Sequence, residues 1–244
     1  MSSIATAVRQ LRLPTLSDSY SELAERARRE IWSYEHYLEQ LLEAELCGRR
    51  SRRIARLLKQ SGLPEPKTLN SLDLDRVPEG VRMRLGSLLE GQFVARAQNV
   101  LLFGPPGGGK THLAAAIGRE MIVQHGLAVK YTTTFKLVQT LAKAKAEHQI
   151  DRLLRSLDNQ DLVIVDELGY VQQSREEMEL LFTFLSERYE RKSLMITSNL
   201  VFSEWERVFK DPLMTAAAVD RLVHHSIILK MGASQRLAAA ESKL

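Results

Sequence analysis

Apolar positions in the first sixty residues recur at helical spacing, whereas beyond residue 98 they gather into short continuous runs. Ser17 can cap a helix running to Glu30, with Tyr20, Leu23, Ala24, Ala27 and Ile31 along one face. Ser33 precedes a second helix whose stripe is Tyr37, Leu38, Leu41, Leu42 and Leu46, and Gly48 is its expected stop. Residues 51–61 predict a short basic helix that docks Ile54, Leu57 and Leu58 on the others, completing a small bundle. Between Gly62 and Asp75, Pro64, Pro66 and the Asn70-Ser71 pair interrupt any period and predict a linker.

The pattern then changes. Apolar or β-branched runs at 100–103, 128–133, 162–165, 194–198 and 226–229 alternate with helical stretches at 109–124, 134–146, 149–157, 175–190 and 213–224. Strands that are apolar throughout, separated by helices, imply an α/β core: a parallel sheet sandwiched by helices and buried on both faces. The expected organisation is a helical domain at 1–63, a linker at 64–78 and the α/β core at 79–244, with no internal repeat.

Composition narrows the class. The 244 residues carry 34 Lys and Arg against 30 Asp and Glu, a net charge of +4, and 44% hydrophobic residues fit a soluble globular chain. Neither a long apolar run nor a signal-peptide pattern is present, and Cys47, the single cysteine, excludes an internal disulfide framework or a multi-cysteine metal site. A cytoplasmic location is the expectation. Cys47 sits among apolar helix positions and reads as a small hydrophobe. No acid lies between Glu45 and Glu65, while Arg49, Arg50, Arg52, Arg53, Arg56 and Lys59 do. Such a block suits phosphate contacts, and it lacks the interleaved aromatics of a base-reading surface, so double-stranded DNA bound largely without regard to sequence is the expected partner. The same run would also serve as a solvated helix face.

Directly after the run at 100–103, Gly104-Pro105-Pro106-Gly107-Gly108-Gly109-Lys110-Thr111 matches G-x-x-x-x-G-K-[ST] and opens an alanine- and leucine-rich helix. Glycines let backbone N–H groups turn around phosphate, the helix N-terminus adds its dipole, Lys110 reaches the β- and γ-oxygens and Thr111 ligates Mg²⁺. His112, next in the helix, is included in the loop's neighbourhood, although packing is its more ordinary role. The run Leu162-Val163-Ile164-Val165-Asp166-Glu167 delivers two acids to the end of a buried strand, where open α/β sheets bind ligands. Asp166 is the expected Mg²⁺ partner and Glu167 the residue that polarises water. A third strand ends in Thr197-Ser198-Asn199, placing an amide where it could orient water or bond the γ-phosphate. These three motifs together point to a nucleoside triphosphate with Mg²⁺ and to its hydrolysis.

GPPGGGKTHLA at 104–114, DLVIVDELGY at 161–170, ERYERKSLMITSNLVFSEW at 187–205 and DPLMTAAAVDRLVHH at 211–225 resemble the IstB-type transposition helper ATPases of bacterial insertion sequences, AAA+ proteins close to the DnaC-type helicase loaders. LRLPTLSDSY at 11–20 and SYEHYLEQLLEAEL at 33–46 extend the resemblance over nearly the whole chain. It implies an ATPase that binds DNA, assembles into homo-oligomers with ATP at subunit interfaces, and works with a cognate transposase. By position Arg221 resembles the arginine that reaches a neighbouring subunit's γ-phosphate, and Arg236 resembles the sensor 2 arginine. Only a short segment follows the last predicted strand, so no sizeable C-terminal lid is expected, as in that family. A helicase loader, and a nucleotide-gated DNA scaffold that uses hydrolysis as a disassembly timer, share the same core and remain alternatives.

Trp32 and Trp205, with Tyr20, Tyr34 and Tyr37, are expected in cores or interfaces. His224 and His225 are adjacent, cannot share one helix face and lack nearby cysteines, so no zinc site is expected of them.

Overall fold

A computed structural model describes residues 3–232, and its internal contacts divide the chain into two compact units, Met1–Arg56 and Leu57–Leu244. No helix among the described residues is long and apolar enough to cross a membrane.

The first unit holds α1 (Ser3–Gln10), α2 (Pro14–Glu30) and most of α3 (Tyr34–Ser61). Helix α2 begins three residues before Ser17, with Pro14 in its first turn, where a missing N–H costs nothing. Its end is Ile31, left-handed at φ 53. Two predicted helices and the expected stop at Gly48 are replaced by a single helix of 28 residues. Gly48 serves packing: a Cβ there would lie 2.0 Å from Thr15 Oγ1 and 2.9 Å from Thr15 Cβ, so its bare backbone lets α2 approach α3. Glu45, 3% exposed, joins the same two helices. Its carboxylate accepts from Leu16 N at 3.0 Å, an otherwise unpaired first-turn donor, and from Arg49 Nε at 3.0 Å and Arg52 Nη2 at 3.2 Å. Burial raises the pKa of this carboxyl, but these donors outweigh it and hold the group below the usual carboxylate range. Of the predicted stripe on α3 only Leu41 is buried; Leu38, Leu42 and Leu46 are exposed, as is Cys47, because four-residue spacing on a long helix reaches past the face that α2 covers.

The second unit is the α/β core. Residues 64–78, expected as a linker, fold into it, burying Leu72 and Val77 together with the preceding Leu63. Helices α4 (Glu79–Leu89) and α5 (Gln92–Ala95) lead into β1 (Asn99–Phe103). Then follow α6 (Lys110–His125), β2 (Val129–Thr133), α7 (Thr134–Ala146), α8 (Ile150–Asp158), β3 (Leu162–Leu168), α9 (Arg175–Arg188), β4 (Ser193–Ser198), α10 (Glu206–Phe209), α11 (Pro212–Val223) and β5 (Ser226–Lys230). All strand pairings are parallel, in the order β2-β3-β4-β1-β5. The five strands fall where the apolar runs predict them, within one to three residues.

Alternation sends successive side chains to opposite faces of the sheet. Leu101, Val163, Val165, Leu194 and Ile196 share a core with Leu137 and Leu141 of α7, Leu181 and Phe184 of α9, and the fully buried Trp205. Helix α6 covers the other face against β1 to β4, with its residues Leu113–Gly118, Met121 and Ile122 buried. Strand order places β4 between β3 and β1, so the carboxyl ends of three adjacent strands open on one crevice.

The close approach at Gly48 makes a stability prediction. Gly48→Ala should destabilise the protein by about 1–2 kcal/mol, because overpacking outweighs alanine's better helix propensity. Adding Thr15→Ala should recover most of that stability; chemical denaturation monitored by circular dichroism measures both.

Candidate nucleotide site

The loop between β1 and α6 is built for close approach of backbone. Gly104, Gly107 and Gly109 have φ of 148, 79 and 84, in the region that disfavours a side chain. The loop is also backed by the chain that follows β5: a Cβ on Gly104 would meet Met231 O at 2.7 Å, and one on Gly108 would meet Gly232 O at 2.8 Å. Pro105 and Pro106 stiffen the turn, whose Gly108 N donates to Pro105 O at 3.2 Å. Lys110 opens α6, and its ammonium donates to Gly104 O at 2.7 Å and Pro105 O at 2.9 Å. Burial lowers its pKa, opposed by the negative charges of Asp166 and Glu167.

Asp166, on β3, is 1% exposed. A carboxylate there needs partners, and three elements supply hydroxyls. Thr111 of α6 donates to Oδ1 at 3.0 Å, Thr197 of β4 makes a short hydrogen bond to the same oxygen, and Tyr131 of β2 donates to Oδ2 at 2.5 Å. Burial and the adjoining Asp166 push the Tyr131 phenol well above its usual pKa, so it stays a donor. Thr134 Oγ1 secures the backbone by donating to Asp166 O at 3.0 Å.

Glu167 is exposed, with φ 64, at an irregularity of β3 where the ladder to β4 shifts between Val165 and Leu168. A non-glycine residue in the left-handed region is a strained one, and such strain persists where neighbours over-determine it. Here Thr197 Oγ1 also accepts from Glu167 N at 2.9 Å, so a single hydroxyl fixes both acids of the strand end. Asn199, just past β4, is half-buried, and its Oδ1 is buried without a hydrogen-bond partner. An unpaired buried acceptor at the mouth of such a crevice is a place for a water or a ligand donor.

Thr111 and Asp166 thus bring two hard oxygen donors to within 3.0 Å of each other beside the phosphate loop, the ligand type Mg²⁺ requires, and the fit is good. The other predicted residues lie elsewhere. The ring of His112 is engaged by Thr68 O at 2.9 Å and Ser71 Oγ at 3.1 Å, and so is turned away to the segment before α4. Arg221, on α11, contacts α9: it donates to Ser186 Oγ at 2.5 Å and stacks 4.8 Å from the centre of the Phe182 ring. It is no part of this chain's own Asp166 network. Arg236 lies outside the described residues. The six cations all fall on α3 and are exposed, with Arg49, Arg52, Arg53, Arg56 and Lys59 at three- and four-residue spacing. Arg49 and Arg52 are bound to Glu45, so they hold the helical unit together as well as carrying charge.

Thr197 and Tyr131 are partners of Asp166 that the motifs do not disclose. For Thr197 there is a signal: hydroxyls at Thr197 and Ser198 follow the apolar run Leu194–Ile196 in a strand that is buried throughout. Tyr131 has none beyond the polar end of β2.

The IstB-like ATP binding protein family matches residues 6–242. A protein of Sinorhizobium fredii named as an insertion sequence ATP-binding protein is 46% identical over 236 residues, covering 96% of this chain and 79% of its own length. One from Pseudomonas aeruginosa, named for the insertion sequence IS21, is 39% identical over 93% of this chain and 86% of its own. Among solved structures, the replication initiator DnaA bound to AMPPCP and single-stranded DNA matches with a TM-score of 0.60 at 18% identity, over 75% of this chain and 56% of that one. The DnaI structure matches at 0.58 and 19%, over 70% and 96%. These structures share the fold, an AAA+ core of the DnaA and DnaC kind. With this fold, this loop and relatives of this similarity, the chain belongs to the family of IstB-like, insertion-sequence ATP-binding proteins.

Proposed function

We propose that this protein hydrolyses ATP with Mg²⁺ at a site completed by a second copy of the chain, binds double-stranded DNA through α3, and uses the nucleotide cycle to prepare target DNA for an insertion-sequence transposase. The observation that carries the reading is the pairing of Thr111 Oγ1 and Asp166 Oδ1 at 3.0 Å beside the phosphate loop, with Glu167 next along the strand. The relatives' names support ATP and the insertion-sequence setting.

Thr111 and Asp166 would hold Mg²⁺, which when bound neutralises charge on the phosphates. Lys110 would exchange the carbonyls of Gly104 and Pro105 for β- and γ-oxygens, a small rearrangement because both sets lie along the same loop. Glu167, held out from the strand by its left-handed backbone and the Thr197 bond, would accept a proton from the attacking water, with Asn199 Oδ1 orienting that water. Arg221 would act in trans. Its stacking on Phe182 and bond to Ser186 pre-orient a guanidinium that the chain's own site does not use, and catalysis then requires assembly. The exposed Leu38, Leu42 and Leu46 on α3 supply an apolar stripe suited to self-association. DNA binding through Arg50, Arg53, Arg56 and Lys59, with Arg49 and Arg52 partly committed to Glu45, would be sequence-independent and salt-sensitive.

Lys110→Ala should abolish ATP binding, and Glu167→Gln should retain it while turnover falls by roughly a hundredfold or more, read by equilibrium dialysis and phosphate release. Arg221→Ala should behave like Glu167→Gln, and a mixture of Arg221→Ala with Lys110→Ala subunits should regain activity, since each supplies what the other lacks; no recovery in any ratio would refute the shared site. Thr197→Val should cost about 1–3 kcal/mol of stability by leaving buried polar groups short of a partner, and Thr197→Ser should restore most of it, as measured by urea denaturation. Reversing charge at Arg53, Arg56 and Lys59 should weaken duplex binding and lower the slope of log affinity against log salt by about 0.9 for each phosphate no longer neutralised. An unchanged slope in a fluorescence-anisotropy titration would remove α3 from the DNA interface.

A further inference from the structure

Sequence spacing argues against a metal at His224 and His225, because side chains of adjacent residues diverge on a helix. Both residues, however, lie in the turn between α11 and β5, past the last regular helical position. There the rings converge, their centroids 4.3 Å apart and inclined by 61°. Glu190, in the turn after α9 and left-handed at φ 57, comes to meet them. Its Oε1 lies 3.8 Å from His224 Nδ1 and 3.6 Å from His225 Nε2, and one ligand atom from each of the three residues falls within 4.8 Å of the others.

We infer that Glu190, His224 and His225 form a binding site for a divalent transition ion of the zinc type. Zinc binds imidazole nitrogen and carboxylate oxygen at about 2.0–2.2 Å, which in tetrahedral geometry separates ligand atoms by about 3.3–3.5 Å. The observed 3.6 and 3.8 Å need to close by only a few tenths of an ångström. Each side chain is about half exposed, at 53–55%, which gives an ion an open path and leaves a fourth position for water. Tyr189 OH, 3.1 Å from His224 Nδ1, would surrender that nitrogen to the ion. An ordinary ion pair explains one histidine beside a glutamate. It does not call for two imidazoles gathered on one carboxylate oxygen, where both must be charged to gain from it, and exposed pairs of that kind contribute little.

The ligands follow two helices, Glu190 after α9 and the histidines after α11, so a bound ion would tie their ends together. Arg221 stands one turn before His224 on α11 and is seated on Ser186 and Phe182 of α9. Occupancy would therefore brace the helix that presents Arg221; this consequence rests on the trans-arginine reading, whereas binding itself does not.

The test uses untagged, chelator-treated full chain without nucleotide or Mg²⁺, titrated with Co²⁺ and followed by visible absorption, then with Zn²⁺ in competition. One equivalent of cobalt with the absorption of a four-coordinate ion, displaced by zinc, is the expected result. His225→Ala and Glu190→Gln should each weaken binding by roughly tenfold or more while ATP binding is unchanged. Absence of cobalt binding, or binding that survives both substitutions, would overturn the site. A chain that bound cobalt but no ATP would instead refute the nucleotide reading and leave the metal site standing.

Discussion

A buried carboxylate organises the α/β unit. The carboxyl oxygens of Asp166, 1% exposed, need hydrogen-bond partners, and its own strand offers none at that position. The donors come from the strand on each side of β3, Tyr131 and Thr197, and from the first turn of α6, Thr111. That requirement explains why strand order matters to the chemistry: only a sheet with β3 between β2 and β4, and α6 lying over it, brings the three hydroxyls to one side chain. All three partners are neutral. They satisfy the carboxylate without cancelling its charge, which is then available to a cation, while the nearest ammonium, Lys110, is turned onto loop carbonyls.

The helical unit rests on a smaller version of the same device. It buries few apolar side chains, and Glu45 joins α2 to α3 through a backbone N–H and two arginines. Arg49 and Arg52 therefore have two roles, and replacing them perturbs structure as well as charge. Arg56 and Lys59, further along α3 and exposed, are the cleaner positions at which to test the proposed DNA contact.

Much of this was legible in the sequence where the signal is local. The five apolar runs announce a parallel sheet, and the phosphate loop and the acids ending β3 announce what its carboxyl edge holds, because loop, helix start and strand end are contiguous in the chain. Contacts between distant segments were not legible. Nothing in the order of residues links Tyr131 to Asp166 or Gly48 to Thr15; glycine reads as a stop by propensity, and only the approach of α2 turns it into a packing residue. Residues 62–75 look like a spacer because prolines break their period, yet Leu63 and Leu72 are buried in the core unit, as is Val77 just after them, and His112 is held by Thr68 and Ser71. Periodicity likewise overstated burial on α3, where Leu38, Leu42, Leu46 and Cys47 are exposed, and it gave no hint that the rings of His224 and His225 meet in the turn after α11.

The oxygens gathered around Asp166 are proposed to serve a Mg-nucleotide whose hydrolysis needs a neighbour's arginine. The most direct test is the rate of phosphate release per subunit as protein concentration is raised at saturating ATP and Mg²⁺. A site shared between subunits predicts a rate that climbs with concentration and levels off once assembly is complete. A rate per subunit that is the same at every concentration would contradict it.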